Sequence, residues 1–433
     1  MIKRAGLTVL AFVIVALASY SDLLTAKRRN YTAQEENGIP QSIAQEMAVL
    51  ERILNESPGD PAALFSLAMD EATVRERTKA IDLLEQMSLA HSGLDPRPPA
   101  GRPFRPLEDD PRFRALVAKI EKENPPVIHS TRAFVLKERD LAPEGIAYDP
   151  VDRKFYISSV SKRKIVSVSE GGILTDFKRP GQDGLGQTLG MKVDAKRRFL
   201  WVVSDSSAPG GAAGESSISS GPDEHYGVFQ YDLRTGALRF KHLLPAGSGG
   251  FLNDVALAST GEGFVTNSGT GEVFRLSPDR DGVELFLPAN TVPQANGIVV
   301  SSNDRVLFVA GWLGVARVDI ASRQVKMLSK PRQISDAGLD GMYFYKRTLV
   351  GIQNPDLHPG RVMRYYLNSE MDHIKRAEVL ESYNPVFEVP TTGTQVGDSL
   401  YFMANTQDDK LTAKGEMPPP SSLQDIIILK LKL

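Results

Sequence analysis

The sequence predicts a mainly β protein: a six-bladed β-propeller preceded by a small α-helical region and an N-terminal apolar segment. Three observations support this prediction. One short phrase recurs six times between residues 144 and 396, at steps of 45, 64, 43, 44 and 52 residues. Each interval holds several runs of strand-forming residues, whereas apolar residues before residue 125 recur at helical spacing. A repeat of about 40–50 residues with several short strands per unit is typical of a propeller.

The N-terminus has the pattern of a signal peptide or a membrane anchor over residues 1–21. Lys3 and Arg4 precede 17 uncharged residues, 5–21, as in an export signal. That length is at the lower end of the ~17–25 residues that span a bilayer, so a retained anchor is the alternative. Under either interpretation we expect the rest of the chain outside the cytoplasm: periplasmic, secreted, or anchored to the membrane by this segment. The polar residues 22–40 form a predicted linker.

Residues 41–125 are predicted to be helical. Asp60 followed by Pro61, and Asp110 followed by Pro111, have the pattern of a capped helix start with proline in the first turn. The region resembles a degenerate tetratricopeptide array of about one and a half repeats, whereas a stable solenoid usually needs about three. Two interpretations remain open: a small domain packed on the propeller, or a module that binds a protein partner.

From residue 130 to residue 433 the pattern is β throughout. Runs such as Phe199–Val203 and Val306–Ala310 are rich in β-branched and aromatic residues and are bounded by turn formers. We expect a strand around Ala133–Leu136 to complete the last blade and close the ring.

Composition excludes several classes of function. The 51 Lys and Arg residues balance 53 Asp and Glu residues, and no basic block has interleaved aromatics, so nucleic-acid binding is not expected. The chain has no cysteine, which excludes disulfides, thiolate zinc sites and a cysteine nucleophile.

Four of the six repeated phrases begin with a side chain that carries oxygen: Glu144, Asn253, Asn296 and Asp340. The two degenerate copies begin at Leu189 and Thr392. Equivalent residues of successive blades are related by rotation about one axis, so we expect these side chains to converge in the central channel. Two carboxylates and two amides suit Ca²⁺, with Mg²⁺ or Mn²⁺ as alternatives, and leave coordination positions for water and substrate.

The ends of the second strands are predicted to surround the same face of the propeller. The predicted rim residues are Asp205, Asn267, Trp312, Asn354 and Asn405, together with the loop histidines His225 and His358. The Gly- and Ser-rich insertion 206–224 leaves from this face and is interpreted either as a lid or as a surface loop.

The phrases around the four oxygen-bearing residues resemble the motifs of the SMP-30/gluconolactonase/LRE-like superfamily, relatives of paraoxonases and strictosidine synthase-like proteins. The motifs are Pro143-Glu144-Gly145, Leu252-Asn253-Asp254, Ala295-Asn296-Gly297 and Leu339-Asp340-Gly341. The resemblance covers about residues 130–433 and implies a six-bladed propeller in which these four residues hold a catalytic calcium. Paraoxonase-like members carry an acidic residue after the first Glu and a second calcium. Here that position is Gly145, so one ion is expected.

The resemblance implies hydrolysis of a small-molecule lactone or ester. Asp340 is the first candidate for the general base, and Asp254 is the second, with a supporting or turn-capping role as its alternative. The paraoxonase histidine pair has no clear counterpart. The competing hypothesis is a non-catalytic binding or scaffold propeller of the cell envelope with a structural metal, because propellers serve both classes of function.

Overall fold

The computed structural model describes seven ranges of the chain, and the predicted N-terminal segment 1–21 and linker 22–40 lie outside them. The described ranges are 41–97, 103–169, 172–206, 225–245, 248–353, 357–412 and 415–433. Within these ranges, no helix is long and apolar enough to cross a membrane.

In the described part of the chain, four α-helices precede the first strand. They are α1 (Gln41–Glu56), α2 (Pro61–Thr73), α3 (Arg77–Ser88) and α4 (Pro111–Glu123). The predicted caps are present: Asp60 accepts hydrogen bonds from the amides of Ala62 and Ala63 at 3.0 and 2.9 Å, and Asp110 accepts one from Arg112. Each cap satisfies amides that the first helical turn leaves without a partner.

Twenty-four strands follow within the described ranges, interrupted by short 3₁₀ turns. The first blade has β2 (Ile146–Asp149), β3 (Lys154–Ser159), β4 (Lys164–Ser169) and β5 (Leu174–Lys178), and the second has β6 (Gln187–Asp194), β7 (Phe199–Asp205), β8 (Tyr226–Asp232) and β9 (Leu238–Leu243). The third has β10 (Leu252–Leu257), β11 (Gly263–Asn267), β12 (Glu272–Leu276) and β13 (Val283–Leu287), and the fourth has β14 (Ile298–Val300), β15 (Val306–Gly311), β16 (Gly314–Asp319) and β17 (Val325–Met327). The fifth has β18 (Leu339–Tyr345), β19 (Thr348–Gln353), β20 (Arg361–Leu367) and β21 (Ile374–Ser382).

The sixth blade combines both ends of the propeller. Its strands are β22 (Gly393–Val396), β23 (Ser399–Met403), β24 (Ile426–Lys432) and β1 (Thr131–Leu136), with β1 paired antiparallel to β24. The ring is therefore closed by the strand predicted around residues 133–136. The six four-stranded sheets confirm the predicted six-bladed propeller.

The innermost strands contact one another in chain order around the axis. Contacts join β2 to β6, β6 to β10, β10 to β14, β14 to β18, β18 to β22, and β22 to β2. The second and fifth blades are therefore opposite each other across the channel. Between neighbouring blades the sheets bury apolar side chains such as Trp201, Phe229 and Phe308, and this burial stabilises the ring.

The helices pack against the fourth and fifth blades. Trp312 follows β15 and lies in one apolar cluster with Phe65 and Leu67 of α2. Its indole Nε1 donates a 2.8 Å hydrogen bond to Ser66 Oγ. A second connection runs from the amide of Asp95 to the carbonyl of Leu357 at 3.1 Å. The helical region therefore lies on the propeller instead of standing apart from it.

Candidate metal centre

Three of the six innermost strands break their pairing register where the repeated phrase begins. The breaks lie between Thr188 and Met191 in β6, between Leu252 and Val255 in β10, and between Leu339 and Met342 in β18. A β-bulge changes the direction of the side chains that it releases from the ladder. Asn253, Asp254 and Asp340 all lie inside such breaks.

The starts of the six repeated phrases contact one another around the ring. A Cβ on Gly145 would lie 2.1 Å from the carbonyl oxygen of Leu189, and one on Gly190 would lie 2.6 Å from that of Asn253. These distances are too short for any side chain, so the glycine after the first residue of the phrase permits the blades to approach.

The same close packing of a glycine against the backbone of the next blade is found in the fourth and fifth blades. Gly297 lies against the carbonyl oxygen of Asp340, and Gly341 against the backbone of Thr392. Thr392 Oγ1 then donates a hydrogen bond to the carbonyl of Glu144, which completes the circle. The third and fourth blades are joined by Thr266 Oγ1, which donates to the carbonyl of Asn296 at 2.8 Å. The structure therefore brings Glu144, Asn253, Asn296 and Asp340 to one level of the channel.

Carboxylates are concentrated at this level. The pKa of Glu144 is raised well above its usual range, first by burial and then by the negative charges of Asp340, Asp408 and Asp254. Asp340 is almost fully buried, while Glu144 keeps part of its surface exposed, because it lines the channel. The site is therefore a cluster of carboxylates in which Glu144 keeps partial contact with solvent.

The two amides present oxygen to this cluster. Asn253 Nδ2 donates to Ser268 Oγ at 3.0 Å, and Ser268 donates in turn to the carbonyl of Ala295 at 2.6 Å. This orientation commits the amide nitrogen and leaves Oδ1 of Asn253 for a ligand. Oδ1 of Asn296 is buried and has no hydrogen-bond partner among the described residues. Buried amide oxygens beside carboxylates fit a hard divalent cation.

The donor set is poor in the side chains that bind transition metals. In the described ranges, no three His, Cys, Asp or Glu side chains are grouped so that they could hold an ion by themselves. The candidate centre therefore depends on the amides of Asn253 and Asn296 as well as on its two carboxylates, a chemistry that suits Ca²⁺ better than Zn²⁺.

Asp254 lies beside the four residues, but its carboxylate is committed to the framework. Its Oδ1 accepts a 2.8 Å hydrogen bond from the amide of Val255 and lies 3.9 Å from Lys192 Nζ, and its carboxylate also accepts from the amide of Ile298. Burial raises the pKa of Asp254, and Lys192 opposes that shift. These contacts correspond to the supporting role that the sequence left open for it.

Three residues at the site were not predicted from the sequence. Asp408 belongs to a 3₁₀ turn after β23, and burial raises its pKa to about 6. Lys192 and Tyr343 approach each other in the channel, with the ammonium 5.3 Å from the ring centroid. Asp408 lies only three positions after the predicted rim residue Asn405, and this closeness in the sequence could have placed it at the same face of the propeller. The pairing of Lys192 with Tyr343 joins distant blades and left no local signal.

Two of the predicted rim asparagines are structural residues. Asn267 is fully buried, and its Oδ1 accepts from the amides of Phe251 and Gly269 at 2.8 and 3.1 Å. Asn405 accepts from the amide of Ile427 at 2.7 Å and donates to the carbonyl of Asp425 at 3.0 Å. Both amides cap the backbone of their own blade, so the prediction that they face a ligand is wrong.

The remaining rim predictions also need correction or lie outside the structure. Trp312 is buried beneath the helices. His358 is also buried, and its ring packs against Tyr383. Burial lowers the pKa of His358 well below its usual range. The ring of His225 stacks on Phe229, with centroids 5.6 Å apart. Asn354 and most of the predicted lid, 207–224, lie outside the described residues.

Comparisons with known proteins find similar solved structures but no related sequence. No protein-family model matches the chain, and no curated protein matches it in sequence. The chain is similar to a gluconolactonase from Xanthomonas campestris, with 14% identity over 71% of this chain and 95% of that one and a TM-score of 0.45. It is also similar to regucalcin, a calcium-binding protein from Agrobacterium tumefaciens, with 15% identity over 69% and 93% and a TM-score of 0.46.

A third similarity, of the same extent, is to a protein with different chemistry. The PQQ-bound aldose sugar dehydrogenase of Streptomyces coelicolor has 15% identity over 71% of this chain and 99% of that one, with a TM-score of 0.45. One fold serves many functions, so the function must be argued from the site.

Proposed function

We propose that this protein is a metal-dependent hydrolase of small lactones or esters, with one Ca²⁺ in the propeller channel. The observation that carries the proposal is the convergence of Glu144, Asn253, Asn296 and Asp340 at one level of the ring. These residues come from four blades and are separated by up to 196 positions in the chain. The four motifs and the cluster of carboxylates around Glu144 support the same function.

The four oxygen-bearing residues are the proposed ligands. Glu144 and Asp340 supply the negative charge, and Asn253 and Asn296 supply neutral oxygens. When bound, a divalent ion supplies electrophilic polarisation of the ester carbonyl and stabilises negative charge on its oxygen. The bulges and glycine contacts described above fix the backbone from which these side chains project.

The proton of the attacking water goes to Asp340 in this proposal. A general base must reach the water and must be able to accept a proton, and an amide such as Asn296 has no useful basicity. Asp254 is less suited, because its carboxylate already accepts from the amides of Val255 and Ile298. Its role is to hold the start of β10 in place beside Asn253.

The test is hydrolysis of a panel of lactones and aryl esters by the full chain, with Ca²⁺ and with a chelator. We expect turnover that depends on Ca²⁺, together with a lower melting temperature in chelator. Turnover that is unchanged by chelation would contradict the metal-dependent mechanism. A chelator-sensitive melting temperature without any turnover would favour the scaffold hypothesis instead.

A further inference from the structure

Lys192 crosses the channel beneath the candidate metal centre. It belongs to β6, the innermost strand of the second blade, while Tyr343 belongs to β18 of the fifth blade. These blades are three steps apart in both directions around the ring. The ammonium nevertheless lies 5.3 Å from the Tyr343 ring centroid, within the range of a cation–π contact. The side chain therefore spans the channel.

The ammonium also contacts the acidic cluster. Its Nζ lies 3.9 Å from Oδ1 of Asp254 in the third blade. The side chain of Asp254 is 4% exposed and that of Lys192 is 25% exposed, so water screens the pair only in part. A single lysine thus connects the second, third and fifth blades across the axis.

Tyr343 is held in place from the sixth blade. Its hydroxyl accepts a hydrogen bond from the amide of Gly393, and it lies close to Gly341, where a Cβ would stand 2.4 Å from the hydroxyl oxygen. Tyr343 is also within electrostatic range of Asp254, Asp340 and Glu144. Its aromatic face is therefore a fixed surface directly under the carboxylates.

The charges of the channel indicate what this lysine does. The negative charges of Asp340, Asp408 and Asp254 all act on Glu144. Without the ammonium, one divalent cation would leave four ionised carboxylates at a net charge of −2, which a second divalent cation would neutralise. With the ammonium, one divalent cation leaves −1, and a second would reverse the sign to +1. Lys192 occupies the part of the channel where a second cation would otherwise be needed.

We propose that Lys192 is a resident counter-cation, which neutralises Asp254 and closes the channel beneath the metal centre, so that the chain holds one divalent ion and not two. Only the number of ions rests on the proposed function. The coupling between Lys192 and Asp254 is a property of the metal-free protein.

A double-mutant cycle in chelator tests the coupling. We expect Lys192→Met to lower the melting temperature by about 5 °C, because it leaves a buried carboxylate without its counter-charge. Adding Asp254→Asn should remove most of that loss. The matched control is Lys346→Met: Lys346 also lies over a tyrosine ring, at 4.8 Å, and pairs with Asp398 at 3.2 Å, but its side chain is 64% exposed. We expect a shift of less than about 1 °C there.

Two measurements on the unaltered chain complete the test. Amine labelling followed by mass spectrometry should modify Lys192 at least about tenfold more slowly than Lys346, a difference of ~1.4 kcal/mol in access. Calcium titration should give one ion per chain. The proposal would be overturned by melting shifts that are additive in the double-mutant cycle. It would also be overturned by equal labelling of Lys192 and Lys346, or by two bound ions per chain. Binding of no ion would refute the proposed function, while the cycle and the labelling would still decide the role of Lys192.

Discussion

Gly297 lies directly against Asp340 of the next blade: a Cβ on Gly297 would stand 2.2 Å from the Asp340 carbonyl oxygen. Gly297 follows one proposed ligand, Asn296, and touches the backbone of another. The close approach therefore sets the spacing between two oxygen donors that are 44 residues apart in the chain.

Replacing Gly297 with alanine should force these blades apart. We expect Gly297→Ala to destabilise the protein by about 2–3 kcal/mol, because a buried methyl group would overlap a backbone oxygen. It should also weaken Ca²⁺ binding. Chemical denaturation and calcium titration measure the two effects.

The matched control is Gly263→Ala in β11, where the nearest atoms to an added Cβ are at 3.4 Å. Gly263→Ala should lower the free energy of unfolding by less than about 1 kcal/mol and leave Ca²⁺ affinity unchanged. Equal effects at the two glycines would contradict a spacing role for Gly297.

Asp340→Asn should reduce hydrolysis by at least about 100-fold, because it removes the group that accepts the proton of the attacking water. Asn296→Asp keeps an oxygen donor at its position and should reduce hydrolysis less. Steady-state kinetics at saturating Ca²⁺, with calcium titration of each variant, makes the comparison. Full activity in an Asp340→Asn protein that still binds Ca²⁺ would refute the base assignment.

The ionised Asp408 carboxylate should destabilise the metal-free protein less as the pH is lowered from 7 to 5. Buried His358, whose pKa is lowered, acts in the opposite direction, so the prediction concerns the difference in stability between the parent and an Asp408→Asn variant. Burial raises the pKa of Asp408 to about 6, above the value near ~3.9 of an unfolded chain. The folded state therefore binds this proton more tightly, and the penalty for ionising Asp408 is absent below ~pH 4 and complete above ~pH 6. Glu144, whose pKa is also raised, acts in the same direction.

Asp408→Asn should remove part of this dependence. In chelator at pH 7 we expect the variant to be more stable than the parent by about 1–2 kcal/mol, allowing for partial exposure. Asp398→Asn is the control, since hydrogen bonding to Tyr345 lowers the pKa of Asp398. Asp398→Asn should give no gain in stability at pH 7. A stability difference between the parent and Asp408→Asn that stays constant from pH 7 to pH 5 would contradict the prediction.

Trp312→Ala should loosen the helical region from the propeller. The change removes a large buried side chain and its 2.8 Å hydrogen bond to Ser66, so we expect a loss of about 3–5 kcal/mol. Ser66→Ala removes only the hydrogen bond and should cost about 1 kcal/mol. Limited proteolysis between the helices and β1 reports the loosening. Unchanged protection in a folded Trp312→Ala protein would show that other contacts hold the helices.

The propeller was predictable from the sequence because its repeat is local in the chain. Each phrase, its strands and its turns recur with the same order, and rotation alone then implies that Glu144, Asn253, Asn296 and Asp340 come together. The caps at Asp60 and Asp110 were predictable for the same reason: a cap is decided by two or three adjacent residues.

The errors concern residues whose role depends on long-range contacts. Asn267 and Asn405 stand at strand ends, as predicted, but their amides bond to their own blade. Trp312 was expected at an open rim, but α2 covers it, and no local pattern shows which blade the helices contact. Lys192 contacts Tyr343 151 positions away, a pairing that only the closed ring creates.

The most direct test of the central claim is anomalous scattering from a crystal of the chain grown with Mn²⁺ or Ca²⁺. The account predicts one strong peak in the channel, within coordination distance of Glu144, Asn253, Asn296 and Asp340, about 2.1–2.6 Å from their oxygens. A protein that binds the ion elsewhere, or holds none with these side chains in place, would contradict it.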